Sequence, residues 1–205
     1  MNLAAHFTSR LSQALIGLLM AAAWGAFALL HVRAFQAGGN WVYLVFCVTE
    51  SLTALFFVLR TTPVTVSASG ADWALAIAAT FASFLFAPSA AGLLPGAAVL
   101  IYLGALLHLG GMLSLNRSIG VVPARRVLKT GGLYRLVRHP LYASYLITFS
   151  GYLLTNSSLR NLAVYLVTIG LLALRTVREE RHLSLDDNYR DYMTRVKFRI
   201  LPFVF

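Results

Sequence analysis

Residues 95–115 read PGAAVLIYLGALLHLGGMLSL, twenty-one residues without a charge. At 1.5 Å of helix rise per residue, such a stretch crosses the roughly 30 Å hydrocarbon core of a bilayer. The character then inverts. Residues 116–140 are polar and basic, broken by Gly120, Pro123, Gly131, Gly132 and Pro140, the punctuation of loops and short turns. Upstream, apolar runs over Ser12–His31, Trp41–Leu59 and Ala71–Ala87 make three more spans. Downstream, Leu141–Thr155 and Leu159–Leu174 flank the turn Asn156-Ser157-Ser158. This pair reads as a helical hairpin, fully spanning or partly re-entrant. The pattern predicts an all-α, polytopic integral membrane bundle of about five to six transmembrane helices, the C-terminal hairpin included.

Composition supports that reading. The 205 residues are 59% hydrophobic and only 12% charged, with mean hydropathy +0.73. An ordinary soluble domain carries roughly 25% charged residues, so a water-facing surface is not available to this chain. Disorder is excluded by the same apolar content. A signal peptide is the alternative for the first run, with Arg10 ahead of it and Ala21-Ala22-Ala23 as a cleavage site. Its apolar stretch continues to Leu30, longer than the roughly 7–15 residues of a signal-peptide core, so a retained helix is expected. Residues 1–115 are expected to form helices one to four, and residues 116–205 the polar loop, the hairpin and the tail, within one structural unit.

Charge is unevenly placed. Before residue 116 there are three basic residues, Arg10, Arg33 and Arg60, against Glu50 and Asp72; fourteen basic residues against five acidic ones follow. In a soluble protein such an excess suggests nucleic acid. Here the positive-inside rule and anionic headgroups explain it better, and no nucleic-acid partner is expected. Six crossings put the N-terminus, the 60–70 loop, the 116–140 loop and the tail on one side. That side carries nearly all the late basic residues and is read as cytoplasmic. Cys47, the single cysteine, lies in an apolar run, so neither a disulfide framework nor a cysteine metal site is expected.

Two polar patches hold the dense chemistry. The first runs from Lys129-Thr130-Gly131-Gly132 through Tyr134 to Arg138-His139-Pro140-Leu141-Tyr142. Its glycines let backbone approach a ligand, Pro140 suits the first turn of the next helix, and that helix N-terminus favours anions. A loop whose arginines grip lipid phosphates is the competing reading. The second patch is Arg175-Thr176-Val177-Arg178-Glu179-Glu180-Arg181-His182. Arg175 and Glu179, at i and i+4, share a helix face, as a solvated ion pair or as a charged binding mouth. Glu50, near the middle of the second span, is a suspect by its position; a protonated acid bonded to a neighbouring helix, with His108 as partner, is the alternative. Gly17, Ala21 and Gly25 form a small-residue face suited to close packing. The soluble nucleotide-binding and nucleophile-elbow motifs are absent.

The order of these patches resembles the isoprenylcysteine carboxyl methyltransferase family of integral membrane methyltransferases. The similarity rests on Leu128-Lys129-Thr130-Gly131-Gly132-Leu133-Tyr134, Arg138-His139-Pro140-Leu141-Tyr142, Glu179-Glu180-x-x-Leu183, Tyr189-x-x-Tyr192 and Val196-x-x-Arg199-Ile200-Leu201-Pro202. It covers about Asn116–Pro202 and implies a cofactor-binding and catalytic role for residues 116–205.

The resemblance implies S-adenosylmethionine bound between residues 126–142 and the start of the tail, with a lipophilic substrate arriving laterally from the bilayer. Carried onto matching positions, cofactor contacts fall to Arg126, Val127, Leu128, Lys129, Tyr134, His139, Pro140, Leu141, Tyr142 and Glu179. Arg175 matches the substrate-side, catalytic arginine. Two positions depart from the family: Ser144 stands where relatives often have glycine, and Arg126 where they often have histidine. A carboxylate nucleophile would need only placement, with Arg175 holding it. An amine would need a proton acceptor, for which Glu180 or a tyrosine is the candidate. The implied activity is methyl transfer to a lipophilic small molecule or prenylated substrate, most simply an isoprenylcysteine carboxylate, with a phospholipid amine as the alternative. Membrane sterol reductases share a similar C-terminal half but are longer chains, and a non-enzymatic lipid-binding protein with a basic mouth is the bland alternative.

Overall fold

The computed structural model describes residues 9–89 and 92–204; the chain termini, expected on the cytoplasmic side, lie outside them. The helices are α1 (Arg10–Gly38), α2 (Val42–Leu59), α3 (Gly70–Phe81), α4 (Ala98–Leu115), α5 (Pro140–Thr155), α6 (Leu159–Leu183) and α7 (Asp187–Arg195). Two-residue strands β1 (Thr65–Val66) and β2 (Ala124–Arg125) pair antiparallel, Thr65 opposite Arg125. The fold is an all-α polytopic membrane bundle.

Among the described residues, four segments are long and apolar enough to cross a membrane: Arg10–Gly38, Val42–Leu59, Pro95–Ser118 and Leu159–Leu183. The expected third span is shorter, α3 followed by a 3-10 turn over Ala82–Leu85. The first hairpin arm, α5, has 16 residues, about 24 Å of helix. Both short helices are nevertheless matched end to end with a long neighbour. Along α3 and α6, Asp72 meets Arg178, Thr80 meets Arg175, and the Leu85 carbonyl accepts from Arg160. Along α4 and α5, Gly111 lies against Leu141, Gly104 against Ser144 and Thr148, and Gly151 against Ala97 and Leu100. Glycines replace side-chain bulk at each α4–α5 crossing point, so the backbones approach closely. A Cβ on Gly104 would sit 2.1 Å from the Thr148 hydroxyl.

The proposed small-residue face of α1 is used once. Gly17 abuts the Phe57 carbonyl of α2, while Gly25 has open space around it. Trp24 packs on Phe57 at 5.3 Å, and Phe56, Phe57, Met112 and Ile119 form a buried cluster between α2 and α4. Leu11, Leu15, Leu18, Leu19, Leu29 and Leu30 stay exposed on α1, as a lipid-facing helix requires.

One end of the bundle gathers the loops that carry function. Thr61 N–H donates to the Arg117 carbonyl, Val64 N–H to that of Arg125 and Ser67 N–H to that of Pro123, which binds residues 60–67 to residues 117–125. Arg138 and His139 N–H groups donate to the Phe198 and Arg199 carbonyls, returning the tail to the start of α5. The opposite end holds residues 39–41, 86–89, 92–94 and 154–158, where Tyr102 donates to Asn40 and Leu94 N–H to the Leu154 carbonyl.

Candidate active site

A cavity of about 390 Å³ runs from the loop-rich end into the bundle, within the roughly 300–1,000 Å³ of small-molecule sites. Its outer part is lined by Arg125–Lys129, Tyr134, His139, Tyr142, Glu179, Asp186, Tyr189 and Tyr192. Its inner part takes Phe46, Thr49, Glu50, Thr53 and Phe57 from α2, His108 and Met112 from α4, and Tyr145 and Phe149 from α5. The α2 residues recur at helical spacing, which puts them on one face. Arg175 of α6 also lines the space.

Ten of the eleven residues singled out from sequence therefore line one cavity: Arg126, Val127, Leu128, Lys129, Tyr134, His139, Leu141, Tyr142, Arg175 and Glu179. Pro140 does not. It is fully buried at the first position of α5, where its missing N–H is not needed and its fixed φ starts the helix.

The two adjacent glutamates divide. Glu180 is 4% exposed and accepts from Arg138 at 2.6 and 3.2 Å, from His139 Nε2 at 3.2 Å and from Arg199 at 2.7 Å. Arg138 also donates to the Val196 and Lys197 carbonyls. Glu180 is thereby spent on holding the tail to α5 and α6, and it does not line the cavity, so it is no proton acceptor there. Glu179 does line it. Its Oε2 accepts from Tyr142 Oη at 2.6 Å, and no hydrogen bond from a described residue engages Oε1.

Arg175 and Glu179 do not form the i, i+4 pair that spacing allowed. Tyr142 stands between them: its hydroxyl goes to Glu179 and its ring lies 5.4 Å from the Arg175 guanidinium. Arg175 donates to the Thr80 hydroxyl, to the Ala76 carbonyl and to the Val121 carbonyl. Its buried Nε has no hydrogen-bond partner.

Gly132, expected to admit a ligand, instead admits a neighbour. It has φ +57°, and a Cβ there would lie 2.3 Å from Ser114 Oγ. Ser114 accepts from Leu133 N–H and donates to the Gly110 carbonyl, fixing the loop on the end of α4. Arg126 donates to the Thr61 carbonyl and to Gln13; burial, with Arg60 beside it, pushes its guanidinium down to about 10. Burial pushes the Tyr134 and Tyr189 hydroxyls up, and Tyr192 to about 12, so all three are protonated at neutral pH. Tyr192 donates to the Tyr134 carbonyl at 2.7 Å, while the buried Tyr189 hydroxyl has no partner.

His108 does not bond Glu50. Ser144 Oγ donates to the Leu141 carbonyl at 2.6 Å and lies 3.2 Å from His108 Nδ1. With its own proton committed, Ser144 accepts from Nδ1–H, which leaves the lone pair of the neutral imidazole on Nε2. Position 144, a departure from the resembled family, is thus the residue that orients a cavity histidine.

The donor set suits S-adenosylmethionine. Glu179 offers a free carboxylate oxygen for an ammonium, Tyr189 an unused hydroxyl for a polar edge, and the stacked His139 and Tyr142 rings, 5.3 Å apart, a flat aromatic wall. Comparison with known families accords with that fit. Residues 93–190 match the phospholipid methyltransferase family. The match covers just under half of the chain, and the matched family belongs to the same integral-membrane methyltransferase superfamily as the isoprenylcysteine enzymes. The matched region contains every residue of the outer cavity named above except Tyr192, and none of the α2 residues. The match is to phospholipid methylation and not to the isoprenylcysteine enzymes named by the sequence motifs. No curated protein matches the chain.

Tyr189, Tyr145 and Thr80 were not singled out from sequence. Tyr189 sat in the quoted Tyr-x-x-Tyr, whose i, i+3 spacing already put both rings on one face. Thr80 and Tyr145 lie inside apolar runs and carry no local signal.

Proposed function

We propose that the protein is an integral membrane methyltransferase that takes its methyl group from S-adenosylmethionine and delivers it to a phospholipid amine drawn from the bilayer. The observation that carries this reading is the single cavity, with Glu179 and the loop tyrosines at its outer end and Glu50 with aromatic rings at bilayer depth. Glu179, Tyr134, Tyr189, the Val127–Lys129 backbone and the His139–Tyr142 wall would hold the donor. When bound, the donor supplies an electrophilic methyl on a sulfonium. The chain's own contribution is alignment and exclusion of water, which are the main needs of an in-line displacement. The basic end of the bundle faces the cytoplasm in this reading, since fourteen of seventeen basic residues follow residue 115 and positive loops stay inside.

A second reading is carboxylate methylation on an isoprenylcysteine-type lipid. It is favoured by the unpartnered Nε of Arg175 inside the cavity and by the C-terminal motifs. Both readings share the donor site.

The test is titration of the detergent-purified protein with S-adenosylmethionine by calorimetry, beside Glu179→Ala. Saturable binding that weakens at least about tenfold in the variant is expected, because a charge-assisted bond is lost. A folded wild type that does not bind overturns the reading. Transfer of labelled methyl to vesicles of phosphatidylethanolamine, or to a prenylcysteine lipid, then separates amine from carboxylate.

A further inference from the structure

Glu50 is the acid that this donor site does not use. It lies on the cavity face of α2 with Thr49 and Thr53. Both threonine hydroxyls are turned back onto helix carbonyls, Thr49 onto Phe46 and Thr53 onto Thr49. His108 is committed to Ser144. Arg175, which also lines the cavity, is held by Thr80, Ala76 and Val121. No hydrogen bond or ion pair joins Glu50 to any described residue. An acid at bilayer depth costs about 2.5–3.5 kcal/mol on insertion scales, and no bond from a described residue offsets it.

The wall of the same cavity is aromatic. His139, Tyr142, Tyr145 and Phe149 follow one another along α5 at three- and four-residue spacing. Their ring centroids are 5.3, 6.3 and 5.9 Å apart in turn. Ring faces attract ammonium groups and do so without needing N–H donors, so they keep hold of an amine as it gains methyls. A carboxylate does the complementary task for the N–H-bearing form.

Resting on the methyltransferase reading, we propose that Glu50 is the substrate-side residue of this site: its carboxylate receives the lipid's ammonium headgroup against the Tyr142–Tyr145–Phe149 wall and accepts the proton that must leave before nitrogen can act. One N–H bond breaks, the proton forms an O–H bond on Glu50, and the electron pair stays on nitrogen as the nucleophile. Charge balances, with an ammonium and a carboxylate becoming a neutral amine and a neutral acid.

The test compares wild type, Glu50→Gln, Glu50→Asp and Tyr145→Leu in maltoside micelles. Binding of lysophosphatidylethanolamine and of lysophosphatidylcholine is measured without methyl donor, S-adenosylmethionine binding is measured separately, and methyl transfer is followed last. Glu50→Gln should weaken lysophosphatidylethanolamine at least about tenfold, leave S-adenosylmethionine binding within about twofold, and lower turnover by about 10²-fold or more. Glu50→Asp should recover part of both. Tyr145→Leu, which leaves the carboxylate in place, should weaken lysophosphatidylcholine more than lysophosphatidylethanolamine. Unchanged headgroup binding in Glu50→Gln overturns the proposal, as does loss of S-adenosylmethionine binding in that variant, which would make Glu50 a structural group. If wild type binds S-adenosylmethionine yet methylates only the carboxylate lipid, the Glu50 assignment fails while the methyltransferase reading stands. If wild type binds no donor, the broader reading fails with it.

Discussion

Neutralising Glu180 should unfold the protein where neutralising its neighbour Glu179 should not. Glu180 is 4% exposed and receives Arg138, itself 5% exposed, together with His139 and Arg199. Glu180→Gln leaves the buried Arg138 guanidinium without its counter-charge. Breaking a buried pair in this way costs about 3–5 kcal/mol, while Arg199, about one-third exposed, adds little because solvent screens it. At roughly 2–4 °C per kcal/mol for a chain of this size, the melting temperature should fall by about 6–20 °C. Glu179→Gln keeps an acceptor for the Tyr142 hydroxyl and breaks no ion pair, so its cost should stay below about 1 kcal/mol. Thermal unfolding in one detergent, at one scan rate because such unfolding is commonly irreversible, followed by circular dichroism, compares the two. The reasoning is refuted if Glu179→Gln melts as low as Glu180→Gln, or if Glu180→Gln melts with wild type.

Three further outcomes follow from the packing and the loops. Gly104→Ala puts a methyl group against Thr148 backbone and hydroxyl and should destabilise by about 1–3 kcal/mol, as overpacking does; Gly25→Ala, with open space around it, should leave the melting temperature unchanged in the same scan. Ser144→Ala removes the acceptor for His108 Nδ1–H, should cost about 1–3 kcal/mol, and should alter the imidazole ¹⁵N shifts that report its tautomer. Asp186 caps α7 through Asn188 N–H and pairs with Arg125 at 2.8 Å; the Asn188 backbone bond, aided by Arg125, holds its carboxyl below the ordinary value. A depressed acid stabilises above its unfolded pKa and loses that contribution as pH falls through its folded one. Amide exchange over residues 187–195 should therefore speed up as pH drops below about 4, after correction for intrinsic rates, and Asp186→Asn should abolish that step.

Much of the bundle was legible because bilayer-length apolar runs have few other readings, and the loop cluster because glycines, prolines and arginines interrupt those runs. Much of the cavity's lining was also legible: ten residues chosen from motif positions line it together. What escaped was long-range pairing. Nothing local in Glu179-Glu180 says that one side chain faces a cavity while its neighbour is enclosed by Arg138, His139 and Arg199, because the choice depends on a tail that returns from residues 196–199 to residues 138–139. The i, i+4 spacing of Arg175 and Glu179 was read correctly as a shared face, but Tyr142 from another helix occupies the gap. Helix length erred at α3, where the α-helix stops at Phe81 although the apolar run continues to Ala87, while the short arm Leu141–Thr155 was read almost to the residue. Gly132 was assigned to a ligand because a positive-φ glycine looks the same whether a ligand or Ser114 fills the space beside it.

The face of α2 that carries Phe46, Thr49, Glu50, Thr53 and Phe57 contributes a wall to the cavity yet lies outside residues 93–190. One side of the chamber therefore comes from the family-matched segment and the other from helices outside it. Changes in the first sixty residues can retune what the chamber admits while the family-matched segment opposite stays as it is, and grafting another protein's opening helices onto this C-terminal half becomes a rational way to redirect it.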